Sequence, residues 1–376
     1  MRDRFDPILP AGDPHPVPAL RRLILVGAFA LLAPLLPAQD LDCPSATCAV
    51  VRQDGATTGS SIGVYETIQA AINDAAIRGH TEIVVYPGRY YENLHFSLGG
   101  MTLRSLEGPL LTCIDGSTSA ISDAPTIGMD SVQGLSFIGF TISGGGYGVL
   151  VSISAEATIR NCVIEGNRIA GVGTFWNEEL LPPPAVSVIN CVVSNNSGSG
   201  IAMTSLLNSR GCPLVSHMSV HNSIITNNGR YAVDYGVVNS ICCCSSFLFT
   251  DRFQFSHNLL SANAEGNLGP SIANGSIPIG TANIQNQSPG FIGSATGCGP
   301  DVRLLSTSNA RNQGWPAAAY RDPDGSRNDM GAFGGPFAEA YYTSMDDGPV
   351  IKQVTPLGTI RAGDGPFTIE AVGAAR

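Results

Sequence analysis

The sequence predicts an all-β fold, a parallel solenoid of short strands, on three observations. A five-residue pattern recurs: Ile138-Gly139-Phe140-Thr141-Ile142, Arg160-Asn161-Cys162-Val163-Ile164, Ile189-Asn190-Cys191-Val192-Val193 and His221-Asn222-Ser223-Ile224-Ile225, with a weaker copy at Ser256-His257-Asn258-Leu259-Leu260. Self-similarity at this period marks units that bury their apolar faces only by stacking. An Asn and then a small-aliphatic pair follow the middle copies: Asn167 with Gly171-Val172, Asn195 or Asn196 with Gly200-Ile201, and Asn227-Asn228 with Ala232-Val233. Composition agrees, because 44 of 376 residues are glycine, 13% are charged, and Lys352 is the single lysine. That is a chain of strands and tight turns rather than solvated helices.

The N-terminus reads as a secretory signal over residues 1–39. Arg21-Arg22 precede the apolar run Leu23 to Leu36, which ends at Pro37-Ala38-Gln39. The run falls short of the ~20 residues of a membrane span. Removing residues 1–39 takes away four Arg and three Asp, which moves the net charge from -10 to -11. An acidic chain argues against a nucleic-acid partner, which needs clustered Lys and Arg. It would also repel polyuronates unless a cation such as calcium bridged them.

Ten cysteines in an exported chain allow disulfides. Cys43 and Cys48 enclose four residues and form the best pair. Cys212, Cys298 and Cys242-Cys243-Cys244 are further candidates whose connectivity sequence does not give. Cys162 and Cys191 share one repeat position and read as stacked, buried, small apolar residues.

Residues 40–64 form an N-terminal extracellular segment. A helix follows, because Ile68, Ala71, Ile72 and Ala75 make one apolar stripe and Gly79 supplies a stop. Its expected task is to cover the open end of the solenoid, where unpaired backbone would recruit another chain.

Here the chain resembles a known family. Thr67-Ile68-Gln69-Ala70-Ala71-Ile72 and Ile83 to Asn93 are similar to the entry of the pectate-lyase-like right-handed parallel β-helix superfamily. Met101 to Ser105 and Cys113-Ile114-Asp115-Gly116 are similar to its first full coil. Asp322-Pro323-Asp324-Gly325 through Phe333 resembles its closing segment in many secreted bacterial members. The resemblance implies a single-stranded right-handed parallel β-helix over residues 65–336, with an N-terminal capping helix and a short C-terminal β extension. It implies no particular activity, because that superfamily holds lyases, hydrolases, esterases and non-enzymes.

The spacing of the repeat is uneven. Gly139 to Asn161 is 22 residues, and the next three steps are 29, 32 and 35. With 22 as the bare coil, the later coils carry insertions of about 7, 10 and 13 residues beyond the unit repeat. These fall at Thr174–Ala185, Thr204–Met218 and Tyr235–Phe253. Insertions at one repeat position project from one face, so the three are expected to stand side by side as a wall. The ligand-binding residues expected there are Phe175, Trp176, Glu178, Glu179, Tyr235, Asp251 and Arg252. Aromatic platforms beside carboxylates suit sugar rings, while shielding of a corner by packed aromatics competes with that reading. The recurring asparagines are expected to hold turns and to bond coil to coil.

Tests for catalysis find little. Gly88-Arg89-Tyr90-Tyr91-Glu92 is similar to an early pectinesterase piece, but that branch's later Gln-Asp and Asp-aromatic-Gly segments find no match. The Gly-His-Gly of polygalacturonases is missing, and the one Asp pair, Asp346-Asp347, lies outside the repeats. Glycoside hydrolysis needs two carboxyl groups at ~5 or ~6.5–9.5 Å, and only Glu178, Glu179 and Asp251 are placed to try. His217 and His221 with Cys242 to Cys244 fit no zinc spacing. Asp322, Asp324 and Asp329 depart from a calcium loop and read as a turn. No cofactor is expected, with calcium the one cation left open. Residues 337–376 hold two strands, a cap or the opening of a β-sandwich module.

The expected function is non-catalytic: a secreted or cell-surface protein that presents the wall to extracellular polysaccharide or other cell-surface components. The alternative is a polysaccharide lyase or glycoside hydrolase with its groove beside the three insertions.

Overall fold

The computed structural model describes residues 43, 47–53, 63–121, 123–176, 181–205, 216–237, 252–270, 280, 282–294, 296–338, 350–356 and 369–374. The expected signal segment, Glu178, Glu179, Asp251, Cys212 and Cys242 to Cys244 lie outside the described residues.

The described strands form three parallel sheets of nine, eight and seven strands, and one antiparallel pair. From Glu82–Val85 to Gly266–Leu268 successive strands fall in sheets A, B and C in turn, so each circuit there adds one strand to every sheet. One such circuit is Glu156–Arg160 in A, Val163–Glu165 in B and Ala170–Trp176 in C. Alternate side chains point inward, as strand geometry requires. Ile159, Val188, Val220 and Phe255 stack along sheet A, while Ile142, Ile164, Val193, Ile225 and Leu260 stack along sheet B. Cys162 and Cys191 sit among them as free, buried thiols. Burial pushes the Cys162 thiol up to about 12 and the Cys191 thiol well above its ordinary value, so both stay protonated packing groups.

The helix Ile68–Arg78 buries Ile68, Ala71, Ile72 and Ala75 against the first strands, as expected of a cap. Thr67 accepts from the Ala70 N–H at its start, and Gly79 ends it in the left-handed region at φ 74°. The Glu92 carboxylate accepts the N–H groups of Ile68 and Gln69, both at 2.8 Å, so it neutralises the positive end of the helix. Tyr90 is buried with its hydroxyl on the Tyr86 carbonyl. The two chemistry-bearing members of the pectinesterase-like piece therefore hold the fold.

The solenoid strands run from Cys48 to Gln285. Two of them, Cys48–Val51 and Gly63–Tyr65, precede the boundary expected at residue 65, and both belong to sheet A. Residues 286–338 are a return segment rather than coils. It lays Val302, Leu304, Ala310, Met330 and Ala332 on Val163, Val192, Ile224 and Leu259, the outward apolar column of sheet B. The expected Cys43–Cys48 disulfide is present. Cys298 pairs with Cys113, 185 residues earlier, which ties the return segment to an early coil. Beyond it, Val350–Pro356 pairs antiparallel with Ile369–Ala374.

Two sets of asparagines work at the corners. Gly139, Asn161, Asn190, Asn222 and His257 hold the A-to-B turn in the left-handed region, at φ between 50° and 79°. Their side chains reach the return segment: Asn161 Nδ2 donates to the Ala332 and Gly334 carbonyls at 3.0 and 2.7 Å, and Asn190 Nδ2 to Asn328 Oδ1 and the Asp329 carbonyl at 2.9 and 2.8 Å. The second set, Asn167, Asn196, Asn228 and Asn263, is buried at the B-to-C corner. Each of the first three donates from Nδ2 to Oδ1 of the next, at 2.9, 3.0 and 2.9 Å.

Asp322 knots the return segment. Its side chain is 3% exposed and accepts the N–H groups of Asp329 and Gly335. Burial, helped by Asp329 and Asp324, outweighs those donors and raises its pKa to about 7. An unfolded Asp titrates at ~3.9. The native state thus favours the protonated form, a contribution complete below pH ~4 and lost as pH rises to about 7. Melting temperatures taken between those limits should fall with pH through this group. Asp322→Asn should flatten that fall; an unchanged slope would assign it to other groups.

Candidate functional site

The best-formed candidate is the outward face of sheet A. Register fixes its columns. Thr102, Ser136, Thr158, Ser187, Ser219 and Gln254 lie in one line, a small polar residue from each of six successive coils. Ser219 Oγ donates to Ser187 Oγ at 2.8 Å within it. Beside it run Arg104, Ile138, Arg160, Ile189, His221 and Ser256. Strands stand ~4.8 Å apart, so this floor presents hydroxyl and amide groups at a nearly constant interval.

A ridge of rings from the return segment and the corner flanks the floor. Trp315 stacks between His257, at 5.6 Å and 14°, and Tyr320, at 5.3 Å and 10°. His221 meets Trp315 edge-on at 5.2 Å. Asn222 Oδ1 accepts the Trp315 N–H at 2.8 Å and so sets the ridge against the corner. Farther along, Arg160 lies 4.7 Å over the ring of Phe337, which is 49% exposed. On the other side is a recess of about 190 Å³ lined by Ala185, Ser187, His217, Ser219, Arg252 and Gln254. Burial lowers the pKa of His217, His221 and His257, and positive neighbours (Arg252 at His217, Arg327 at His257) push the same way. The three imidazoles are therefore neutral at pH 7, able to donate and accept.

The residues expected to form the wall divide. The three insertions do leave one corner, between sheets C and A. Their first residues, however, extend sheet C: its strands lengthen to Ala170–Trp176, Ser199–Ser205 and Tyr231–Val237. Tyr235 is 3% exposed and belongs to the main core, and Trp176 is 6% exposed. Neither is an open platform. Alternation explains this, since Val172, Thr174 and Trp176 share the inward side with Val233 and Tyr235. Phe175 is outward and half-buried. Arg252 reaches the recess and lies 6.0 Å from the Trp176 ring. Sequence reasoning missed Trp315, Tyr320 and Phe337, which lie outside the repeat and join the site only through the return segment.

Carboxylates are sparse on the described face. Glu82 is bound to Arg104 at 2.5 Å, and Glu156 stands at the rim. Glu156 stands on the strand three away from that of Glu82, on the order of 14 Å or more across the sheet. That exceeds the ~5 or ~6.5–9.5 Å of a glycosidase pair. Elsewhere Glu165 and Asp234 are both raised by burial, with Arg230 3.3 Å from Asp234. Among the described residues no group of three or more ligating side chains is placed to hold a metal ion, and no helix is long and apolar enough to cross a membrane.

Residues 112–286 match the family model of the right handed beta helix region. The chain carries a right-handed parallel β-helix. No curated protein matches it. Solved structures similar to this β-helix include the pectin methylesterase PemA from Erwinia chrysanthemi, at 14% identity and a TM-score of 0.29, over 59% of this chain and 80% of that one. The pectin methylesterase from Aspergillus niger is similar at 14% identity and a TM-score of 0.31, over 72% and 93%. A pectin methylesterase in complex with a hexasaccharide is similar at 12% and 0.29, over 59% and 80%. Such distant likeness carries nothing about activity.

Proposed function

We propose that this is a secreted or cell-surface glycan-binding β-helix that holds an extended saccharide along the outer face of sheet A and does not cleave it. One observation carries the reading: a line of neutral polar side chains, one per coil, beside a ridge of stacked rings, with no close carboxylate pair on the described face. Hydroxyl and amide groups match a sugar's hydroxyl rim, and ring edges and faces match its apolar side. Export is supported by the apolar run after Arg21-Arg22 and by two disulfides, which persist in oxidising compartments.

A glycan array followed by titration of the best polysaccharide tests it. Trp315→Ala should weaken binding about tenfold, the scale of a lost aromatic contact of ~1 kcal/mol or slightly more. Gln254→Ala, an exposed floor change, should weaken it less and leave the melting temperature unaltered. A reducing-end assay runs beside the titration. Turnover that disappears in Glu178→Gln or Asp251→Asn would replace this reading with a lyase or hydrolase, and binding indifferent to both Trp315→Ala and Gln254→Ala would remove the face from consideration.

A further inference from the structure

A second recess lies on another sheet, where the chain leaves the last coils. It measures about 410 Å³ and is bounded by Thr226-Asn227, Ser261-Ala262 and the run from Asn286 to Pro289 with Phe291. Its size falls in the ordinary range of small-molecule sites, ~300–1,000 Å³. We infer that it binds a single neutral sugar residue, at a site separate from the face of sheet A.

The chemistry of the lining sets the ligand class. Thr226 Oγ1 and Ser261 Oγ form the buried floor, 3.0 Å apart. Only one of the two protons can lie between them, so the other hydroxyl keeps a proton to donate. Asn227 and Gln287 are exposed at the rim, and each carboxamide offers two donors and an acceptor. Neither amide group has a hydrogen-bond partner among the described residues. Asn286 Oδ1 accepts from Asn267 Nδ2 at 2.9 Å, which fixes its own NH₂ as a further donor. One half-buried ring, Phe291, supplies an apolar wall. Among the described residues no charged side chain lines the recess. Neutral donors and acceptors around one aromatic ring fit a polyhydroxylated ring without charge. An anion would find no counter-charge, and a wholly apolar ligand would strand the floor hydroxyl.

The backbone presents these groups firmly. Asn227, Ala262 and Asn286 are all in the left-handed region, at φ 55°, 52° and 58°. The Asn227 N–H is bonded to the Ser261 carbonyl at 3.3 Å, and the Asn286 N–H to the Leu260 carbonyl at 2.8 Å. The rim is therefore built from hydrogen-bonded turns of three consecutive coils.

The test is calorimetric titration of the whole exported chain with glucose, galactose and N-acetylglucosamine, and with galacturonate as the anionic control. At least one neutral sugar should bind at the millimolar level common to single small sugars, on the order of −4 kcal/mol. Its affinity should hold as salt is raised, because no ion pair forms. The double variant Asn227→Gly/Gln287→Ala keeps the left-handed turn and should lose about tenfold or more in affinity. Gln254→Ala, on sheet A, should leave this binding intact. No response to any neutral sugar, equal binding of galacturonate, or full affinity in the double variant would each overturn the assignment. Loss of polysaccharide binding in Gln254→Ala alone bears only on the sheet A face.

Discussion

Asn196→Ala should remove about 3–5 kcal/mol of stability, seen as a shift of the urea unfolding midpoint. Asn196 is 1% exposed. Its Nδ2 donates to Asn228 Oδ1 at 3.0 Å and to the Ile164 and Ser194 carbonyls at 3.1 Å. Its Oδ1 accepts from the Asn167 N–H at 3.1 Å and Asn167 Nδ2 at 2.9 Å. Truncation strands the Asn167 N–H and takes a donor from the Ile164 and Ser194 carbonyls in a place water does not enter, while Asn228 Oδ1 keeps the Asn196 N–H at 3.2 Å. Leaving buried polar groups unpaired costs ~1–3 kcal/mol each, and the value above allows for partial relaxation. The adjacent Asn195 is exposed, holds a left-handed turn at φ 53°, and among the described residues its side chain meets only Ser194 Oγ, at 3.5 Å, and the Glu165 carboxylate. Asn195→Gly keeps that conformation and should cost under about 1 kcal/mol. Equal effects at the two positions would mean that the interior line of carboxamides does not join the coils.

Replacing Cys113 and Cys298 together with Ser should destabilise the native chain by up to about 5 kcal/mol. The value follows from a loop of 185 residues in the chain-entropy treatment. The bond has help: Arg89 donates to the Gly297 carbonyl at 3.1 Å and pairs with Asp115 at 2.9 Å. The apolar contact of the return segment with sheet B also remains in the variant, so the segment should stay docked at moderate temperature. The double variant should show an earlier transition in which Trp315 fluorescence changes before the far-ultraviolet signal of the sheets. A single coincident transition at the wild-type midpoint would show that the crosslink contributes nothing.

The repeat was legible because its physics is local. Period-two alternation, glycine and asparagine at left-handed corners, and apolar residues at one position in every coil each leave a mark in sequence. The cap was legible for the same reason, from the stripe Ile68, Ala71, Ile72 and Ala75. The site was harder. Trp176 and Tyr235 stand at the end of strands whose length nothing local announces, so an alternation that buries them resembled an exposed loop. Trp315, Tyr320 and Phe337 reach sheet A only because residues 286–338 turn back along the solenoid, and that docking depends on side chains more than 90 residues away, such as Asn222 with Trp315. The Cys113–Cys298 link shares that difficulty, since neither cysteine's surroundings name the other.

The return segment also acts as a ruler. A simple solenoid gains or loses a coil at little cost, because each repeat touches only its neighbours. Here Cys298 reaches Cys113, Trp315 and Gly331 meet Asn222, Asn328 meets Asn190, and Gly334 meets Asn161. These fasteners fall on different coils, and the chain between them has a fixed length. Deleting the coil between Asn190 and Asn222 would put every later fastener out of step by ~4.8 Å. The number of coils in this protein is thereby counted by its own tail, and its evolution by whole-repeat duplication is closed off where that tail lies.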